Sequence, residues 1–315
     1  MSTAEQVRFV EISPRHEGQR IDNFLVRELK GVPKSRVYRL IRKGEVRINK
    51  KRCKPDTKLL LGDLVRIPPY SGASVKEPGT VTPGLSEYLQ ANILYQDDEL
   101  LVVNKPSGLA VHGGSGIKLG LIEALRQIRP DWKDAELAHR LDRETSGCLV
   151  IAKTGNALRF LHEEFKLRKV SKTYHALVYG GWPTHINQVE AKLHRKQLDS
   201  GERLVKVDEV IGKEAITRFR VLTRLSEATL IEAKPETGRT HQIRVHCQSA
   251  GHPIVGDDRY SDKRVIKHHK VLKDAKSLCL HAAEITFRKP KSGEYLTVKA
   301  DLGQNLRHAL TLLQE

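Results

Sequence analysis

The stretch His139-Arg140-Leu141-Asp142-Arg143-Glu144-Thr145-Ser146-Gly147-Cys148-Leu149-Val150-Ile151-Ala152 joins a charged segment to an apolar one. Its second part, Cys148–Ala152, is a short unbroken apolar run bounded by polar residues, which reads as a buried strand. The first part sets a carboxylate, Asp142, between Arg140 and Arg143 on the loop that feeds this strand. Opposite charge on both sides favours the ionised form of a carboxylate. Such a group beside a sheet suits a nucleophile, a general base or a metal ligand. Taken alone, a structural ion pair is the better reading of the cluster.

Working outward, Leu100-Leu101-Val102-Val103 is a second buried run, closed by the turn Asn104-Lys105-Pro106-Ser107-Gly108. Tyr174-His175-Ala176-Leu177-Val178 alternates as a strand, and a tyrosine there is more often core than function. Ile216–Leu225 with Ala228–Ala233 predicts a hairpin. So does Ala283–Arg288 with Tyr295–Lys299, around Pro290-Lys291-Ser292-Gly293. Helices are expected over Asn156–Leu167, with Leu158, Leu161 and Phe165 inward, and over a stretch after Thr240 that Gly251 ends. Together these predict an α+β domain over 91–315, built on a mixed, largely antiparallel β-sheet with flanking helices and loops.

Upstream the chain changes character. Residues 1–70 carry 17 lysines and arginines against 8 aspartates and glutamates. Ile21, Leu25 and Leu29 repeat at helical spacing until Gly31-Val32-Pro33 breaks the run. Ser35 is the expected N-cap of a second helix, with Val37, Leu40 and Ile41 on one face and Gly44 as its stop. Arg36, Arg39, Arg42 and Lys43 occupy the other face, where a solvated surface and an RNA contact are both open. Short strands follow at Val46-Arg47-Ile48 and Leu64-Val65-Arg66-Ile67, around an Asn49-Lys50 turn. Residues 1–17 read as an N-terminal extension, 18–75 as a small domain and 76–90 as a linker. The linker rests on the proline and glycine of 69–90: Pro69, Gly72, Pro78, Gly79, Pro83 and Gly84.

Composition narrows the partners. The 315 residues carry a formal charge of +17, which favours association with polyanions through counterion release. No run approaches the roughly 20 apolar residues of a membrane-spanning helix. The polar start Met1-Ser2-Thr3-Ala4-Glu5-Gln6 lacks an apolar signal core, so a cytoplasmic location is expected. Cys53, Cys148, Cys247 and Cys279 are too dispersed for a zinc ribbon or a disulfide framework.

A second charged motif is Gly238-Arg239-Thr240-His241-Gln242-Ile243-Arg244-Val245-His246. Arginines and histidines at a helix start suit an anion. His241 and His246 are five apart, not the four of a helical zinc pair, so no metal is expected.

Residues 18–68 resemble the S4-type RNA-binding domain. The resemblance lies in Arg20-Ile21-Asp22-Asn23-Phe24-Leu25, Ser35–Val46 and Gly62-Asp63-Leu64-Val65. It favours RNA contact for Arg36, Arg39, Arg42 and Lys43. Residues 91–302 are similar to the RluA family of pseudouridine synthases. The matching motifs are Asn104–His112, His139–Gly147, Lys172–Val178, Gly238–His246 and Leu280-His281-Ala282. Within that family the chain is most similar to C-type members, which modify bacterial large-subunit (23S) ribosomal RNA; Gly31–Ser35 and His112–Gly116 carry that closer match.

The resemblance implies a cofactor-independent isomerase acting on a flipped-out uridine. Asp142 is then the catalytic carboxylate, Tyr174 the aromatic that stacks on the base, and Arg244 the arginine that pairs with Asp142. Arg140 fills the space the base leaves. Three chemistries stay open for Asp142, attack at C1′, addition to C6, or removal of a sugar proton, with the last preferred. A large-subunit ribosomal RNA partner, a monomeric state and no membrane association follow. The alternatives are a non-enzymatic RNA-binding or ribosome-assembly protein, and a synthase for transfer RNA. The loop His112–Gly116, the basic run Lys263–Lys270 and Asp257-Asp258-Arg259-Tyr260 keep two readings each, as RNA or site contacts or as plain surface.

Overall fold

A computed structural model describes residues 3–4, 6–14, 16–29, 31–71, 79–114, 117–197, 203–269, 271–275 and 277–314. The chain divides into two compact units, Met1–Gly79 and Thr80–Glu315. Gly72 and Pro78 of the expected linker, Ser115-Gly116 of the glycine loop and Lys270 of the basic run lie outside the described residues.

In the first unit, helices Ile21–Glu28 and Lys34–Lys43 pack on a sheet of Arg8–Glu11, Leu64–Ile67, Arg47–Ile48 and Lys51–Arg52. Part of the expected N-terminal extension is thus a sheet strand: Arg8–Glu11 pairs antiparallel with Leu64–Ile67. The second helix starts earlier than its sequence suggests. Pro33 is the N-cap and Ser35 lies inside the first turn, because Pro33 supplies a fixed φ of −59° ahead of the helix. Gly44 ends it at φ 74°, a left-handed conformation costly for a residue with a Cβ. Asn49 and Lys50 both take positive φ, the conformation that a two-residue hairpin turn demands.

Asp22 ties the two helices together. It accepts hydrogen bonds from Arg20 Nε and Nη2, from Tyr38 Oη at 2.7 Å and from the Asn23 amide. Burial pushes this carboxyl up, but those donors outweigh it and hold it below the ordinary aspartate range.

The second unit is built on a sheet of eleven strands among the described residues. Across the sheet the main order is Arg203–Val207, Gln188–Gln197, Lys213–Arg224, Ala228–Pro235, Ser171–Tyr179, Leu280–Arg288, Ser146–Ala152, Leu100–Lys105 and Ile93–Gln96. Ser146–Ala152 runs parallel to Leu280–Arg288, and the other pairings are antiparallel. Both expected hairpins form.

The continuous apolar runs exist because the central strands are covered twice. Leu149 and Ile151 pack with Leu101 and Val103 under helix Leu121–Ile128. Val150 and Ala152 pack with Leu100 and Val102 on the opposite face, against Leu161 of helix Gly155–Lys166. Such strands lose the polar–apolar alternation. Gly147 is needed where two strands close in: at φ 107°, a Cβ there would meet the Ala282 carbonyl oxygen at 2.2 Å.

Residues 83–91 correct the linker expectation. Pro83–Ala91 is a helix, with Thr82 capping the Leu85 amide, Pro83 in the first turn and Leu89 fully buried. Proline at a helix start costs no hydrogen bond, so the signal taken for a linker is an N-terminus. Among the described residues no helix is long and apolar enough to cross a membrane.

Candidate active site

Asp142 sits on a loop whose alternate side chains are anchored in opposite senses. His139 stacks on Phe165 and accepts the Val150 amide proton at 3.0 Å, and Leu141 is buried in the core. Arg140 and Asp142 line a cleft of about 350 Å³. The loop is pinned from below by Lys105, whose side chain is fully buried. Its Nζ donates to the carbonyls of Pro106, Leu109 and Arg143 at 2.8, 2.8 and 2.9 Å. Burial pushes the Lys105 ammonium down to about 7, while Glu144 and Asp142 act to raise it. The Gly108 amide also donates to the Arg143 carbonyl, and Arg143 Nε returns a bond to the Gly108 carbonyl. The turn Asn104–Gly108 therefore serves as the clamp of the aspartate loop.

Tyr174 enters the same cleft from the strand Ser171–Tyr179. The pairing with Leu280–Arg288 slips between Thr173 and Tyr174, and a bulge of this kind re-aims a side chain. Tyr174 lies opposite Ala282 on one side and Ala233 on the other, two small residues that leave room for its ring. Burial raises its phenol well above the usual range, with the Asp142 charge acting in the same direction. The ring presents a neutral π surface.

The third motif departs from expectation at Arg244. Its guanidinium is nearly buried and bidentate to Asp257, with Nε and Nη2 each 2.7 Å from a carboxylate oxygen. It does not grip Asp142: the carboxylate of Asp257, on the turn after the helix Gln242–Ser249, takes both forks. The Asp142 charge still acts on Arg244 without a direct contact. Asp257 is held by the Arg259 and Tyr260 amides as well. What read as either a site element or a surface turn, Asp257–Tyr260, is the mount of the arginine.

The group facing Asp142 is His241. Its Nε2 lies 3.8 Å from Asp142 Oδ2, and its Nδ1 is 2.7 Å from Tyr260 Oη. Tyr260 Oη in turn accepts the Val205 amide proton. Tyr260 can donate its own proton to Nδ1, leaving Nε2–H toward the carboxylate, the tautomer the Asp142 charge favours. Burial, followed by the opposing pull of Asp142, leaves the imidazole below the usual histidine range. His241 is also at φ 54°, an uncommon conformation for a residue with a side chain. Gln242 holds the turn before it, accepting from Thr237 Oγ1 and the Arg239 amide and donating to the Ile216 carbonyl and Thr217 Oγ1.

Arg140 and Asp142, Tyr174 and Arg244, from three separate stretches of the sequence, thus line one cleft. His241, Tyr260, Asp257 and Lys105 were not assigned roles from sequence. Only their places inside the turn Asn104–Gly108, the motif Gly238–His246 and the segment Asp257–Tyr260 hinted at them. Among the described residues no group of three or more His, Cys, Asp or Glu is placed to hold a metal ion. In the first unit Arg39, Arg42 and Lys43 are exposed on the helix Lys34–Lys43, and Arg36 is half-buried.

Residues 99–249 match the family model described as RNA pseudouridylate synthase, and residues 19–65 match the S4 domain. The chain is 51% identical to the Ribosomal large subunit pseudouridine synthase C of Haemophilus influenzae, over 98% of this chain and 96% of the relative. It is 50% identical to the protein of the same name from Escherichia coli K12, over 98% and 97%. Among solved structures, Human RNA Pseudouridylate Synthase Domain Containing 4 superposes with a TM-score of 0.60 at 28% identity, covering 73% of this chain and 96% of that one.

Proposed function

The chain belongs to the RNA pseudouridylate synthases and carries an S4 domain, and on that premise we propose that it isomerises uridines of bacterial large-subunit (23S) ribosomal RNA, with Asp142 as the catalytic carboxylate. The observation that carries the residue assignment is the convergence of Asp142, Tyr174 and Arg140 on one cleft in a strongly basic chain.

The reaction breaks the N1–C1′ bond, turns the uracil and rejoins it through C5, so no atom is gained or lost. A base within a helix is out of reach and must be extruded, at a cost of a few kcal/mol. Tyr174 offers the neutral ring on which the extruded uracil stacks. Arg140, exposed at the cleft rim, reaches the gap the base leaves and can hydrogen-bond there in a plane. Asp142 acts on the nucleoside, with removal of a sugar proton the preferred route. Arg244, fixed by Asp257, supplies positive potential beside that carboxylate, and its immobility keeps the field in place during reaction. His241 Nε2–H orients Asp142; its 3.8 Å separation closes to a hydrogen bond once substrate excludes water. The exposed Arg39, Arg42 and Lys43 of the first unit contact RNA phosphates. The protein works as a monomer in the cytoplasm.

Incubating the purified chain with 23S ribosomal RNA and with transfer RNA, then mapping pseudouridine in each, tests the reading. Pseudouridine at discrete 23S positions is expected. Modification of transfer RNA alone would remove the ribosomal assignment, and RNA binding without any pseudouridine would leave an assembly factor.

A further inference from the structure

The 350 Å³ cleft does not end at its third motif. A second groove of about 370 Å³ adjoins it, and Gly238, Arg239 and Thr240 line both. Its volume is at the lower end of pockets that hold a small organic molecule, about 300–1,000 Å³.

The groove has a floor and a rim of opposite character. In the antiparallel register Arg195 lies opposite Val205 and Leu193 opposite Lys213, so these four side chains share one face of the strands. Leu193 and Val205 are buried and form an apolar floor, backed by Val245 and Tyr260. Arg195 and Lys213 stand exposed at its edges. Arg239 closes the third side, its Nε held by the Glu214 carbonyl at 3.0 Å. Arg195 Nη2 reaches 3.5 Å from Thr240 Oγ1, on the segment common to both clefts. Among the described residues no carboxylate-bearing side chain lines the groove, in a region where Glu214 and Glu209 lie close in sequence.

An apolar floor with a rim of cations matches the two ends of a nucleotide, a sugar and base on one side and a phosphate on the other. We infer that this groove binds the nucleotide next to the target uridine on the same RNA strand, with its phosphate between Arg195, Lys213 and Arg239. The inference rests on the reading of the first cleft as the uridine site. Flipping one nucleotide pulls its neighbour's phosphate toward the cleft rim. The shared Gly238–Thr240 segment is where such a strand would pass. Two guanidinium groups and an ammonium grip the backbone without reading a base, so the groove adds affinity and register.

The test uses the full chain, a labelled RNA fragment containing a modified uridine, and the double variant Arg195→Ala/Lys213→Ala. Both side chains are exposed, so the variant is expected to keep the wild-type Tm. Its Kd rises by about an order of magnitude, and the slope of log Kd against log salt becomes shallower by roughly 0.7, the loss of one single-strand phosphate contact. The rate at saturating RNA stays within about twofold. Replacing flanking phosphates one at a time by uncharged methylphosphonate weakens wild-type binding at one linkage and leaves the double variant indifferent there. Removing Lys133 and Lys291, exposed cations that do not line the groove, leaves Kd unchanged. An unaltered salt slope, or methylphosphonate losses that add fully to the variant's, would overturn the inference. These readouts do not depend on chemistry: an RNA pattern of this kind without pseudouridine would sink the isomerase reading and keep the groove.

Discussion

The two units use positive charge in opposite ways. On the helix Lys34–Lys43, Arg39, Arg42 and Lys43 stand in solvent on one face, with an apolar core of Val37, Leu40 and Ile41 behind them. In the large unit the decisive basic groups are Lys105 and Arg244, both buried, Lys105 donating to three carbonyls and Arg244 held bidentately by Asp257. Exposed charges act through a screened field and are individually replaceable. Buried ones set geometry, and losing a partner leaves an uncompensated charge in a poor solvent. A phosphate chain of variable path suits the first arrangement. A reacting carboxylate that must not move suits the second.

The largest test of that contrast is at the Arg244–Asp257 pair. Asp257→Ala leaves the guanidinium buried without its carboxylate and is expected to cost about 3–5 kcal/mol, read by urea unfolding of the full chain. A cost below about 1 kcal/mol would mean that the pair is solvated and the contrast false.

Acid separates the units next. His246 and His281 are fully buried in the large unit, and burial pushes each down to about 4. Between pH 6.5 and 4 the unfolded chain binds protons that the folded chain refuses, so stability present above 6.5 is lost as pH falls. The loss is on the order of 2 kcal/mol per histidine by pH 4.5. Hydrogen exchange at pH 6.5 and 4.5, corrected for intrinsic rates, should show weakened protection in Ser146–Ala152 and little change in Leu64–Ile67. Equal weakening in both strands would contradict the assignment.

Smaller effects are expected at the position facing Asp142. His241→Gln keeps an N–H near the carboxylate, whereas His241→Asn keeps only the side toward Tyr260. The Asn variant should lose about tenfold in kcat, about 1.4 kcal/mol, with KM within threefold, and the Gln variant should recover most of it. Identical kcat values for the two would remove the orienting role. The smallest effect lies on the first unit. Arg39→Gln is expected to cost less than about 1 kcal/mol of RNA affinity and to reduce the salt slope by under one unit. A loss above tenfold would make it a specific contact rather than part of a field.

These differences also decide what was legible in the sequence. The buried strands, both hairpins and the two helices of the small unit follow from apolar spacing and turn residues, which are local signals. Pro83–Gly84 misled because proline marks a helix start as readily as a linker. Asp142, Tyr174, Arg140 and Arg244 were found through motif resemblance, and the fold brings them to one cleft. Their partners were not, because partnership is a matter of tertiary placement. Arg244 and Asp257 are 13 residues apart, and nothing local says that Asp257 rather than Asp142 takes the fork. The second groove was equally invisible: Arg195, Lys213 and Arg239 lie on separate elements and read singly as surface charge.

The most direct measurement compares the wild-type chain with Asp142→Asn on 23S ribosomal RNA, reading RNA affinity and pseudouridine together. The account predicts affinity within about threefold of wild type and no detectable pseudouridine in the variant. Pseudouridine formed by Asp142→Asn at a rate near wild type would contradict it.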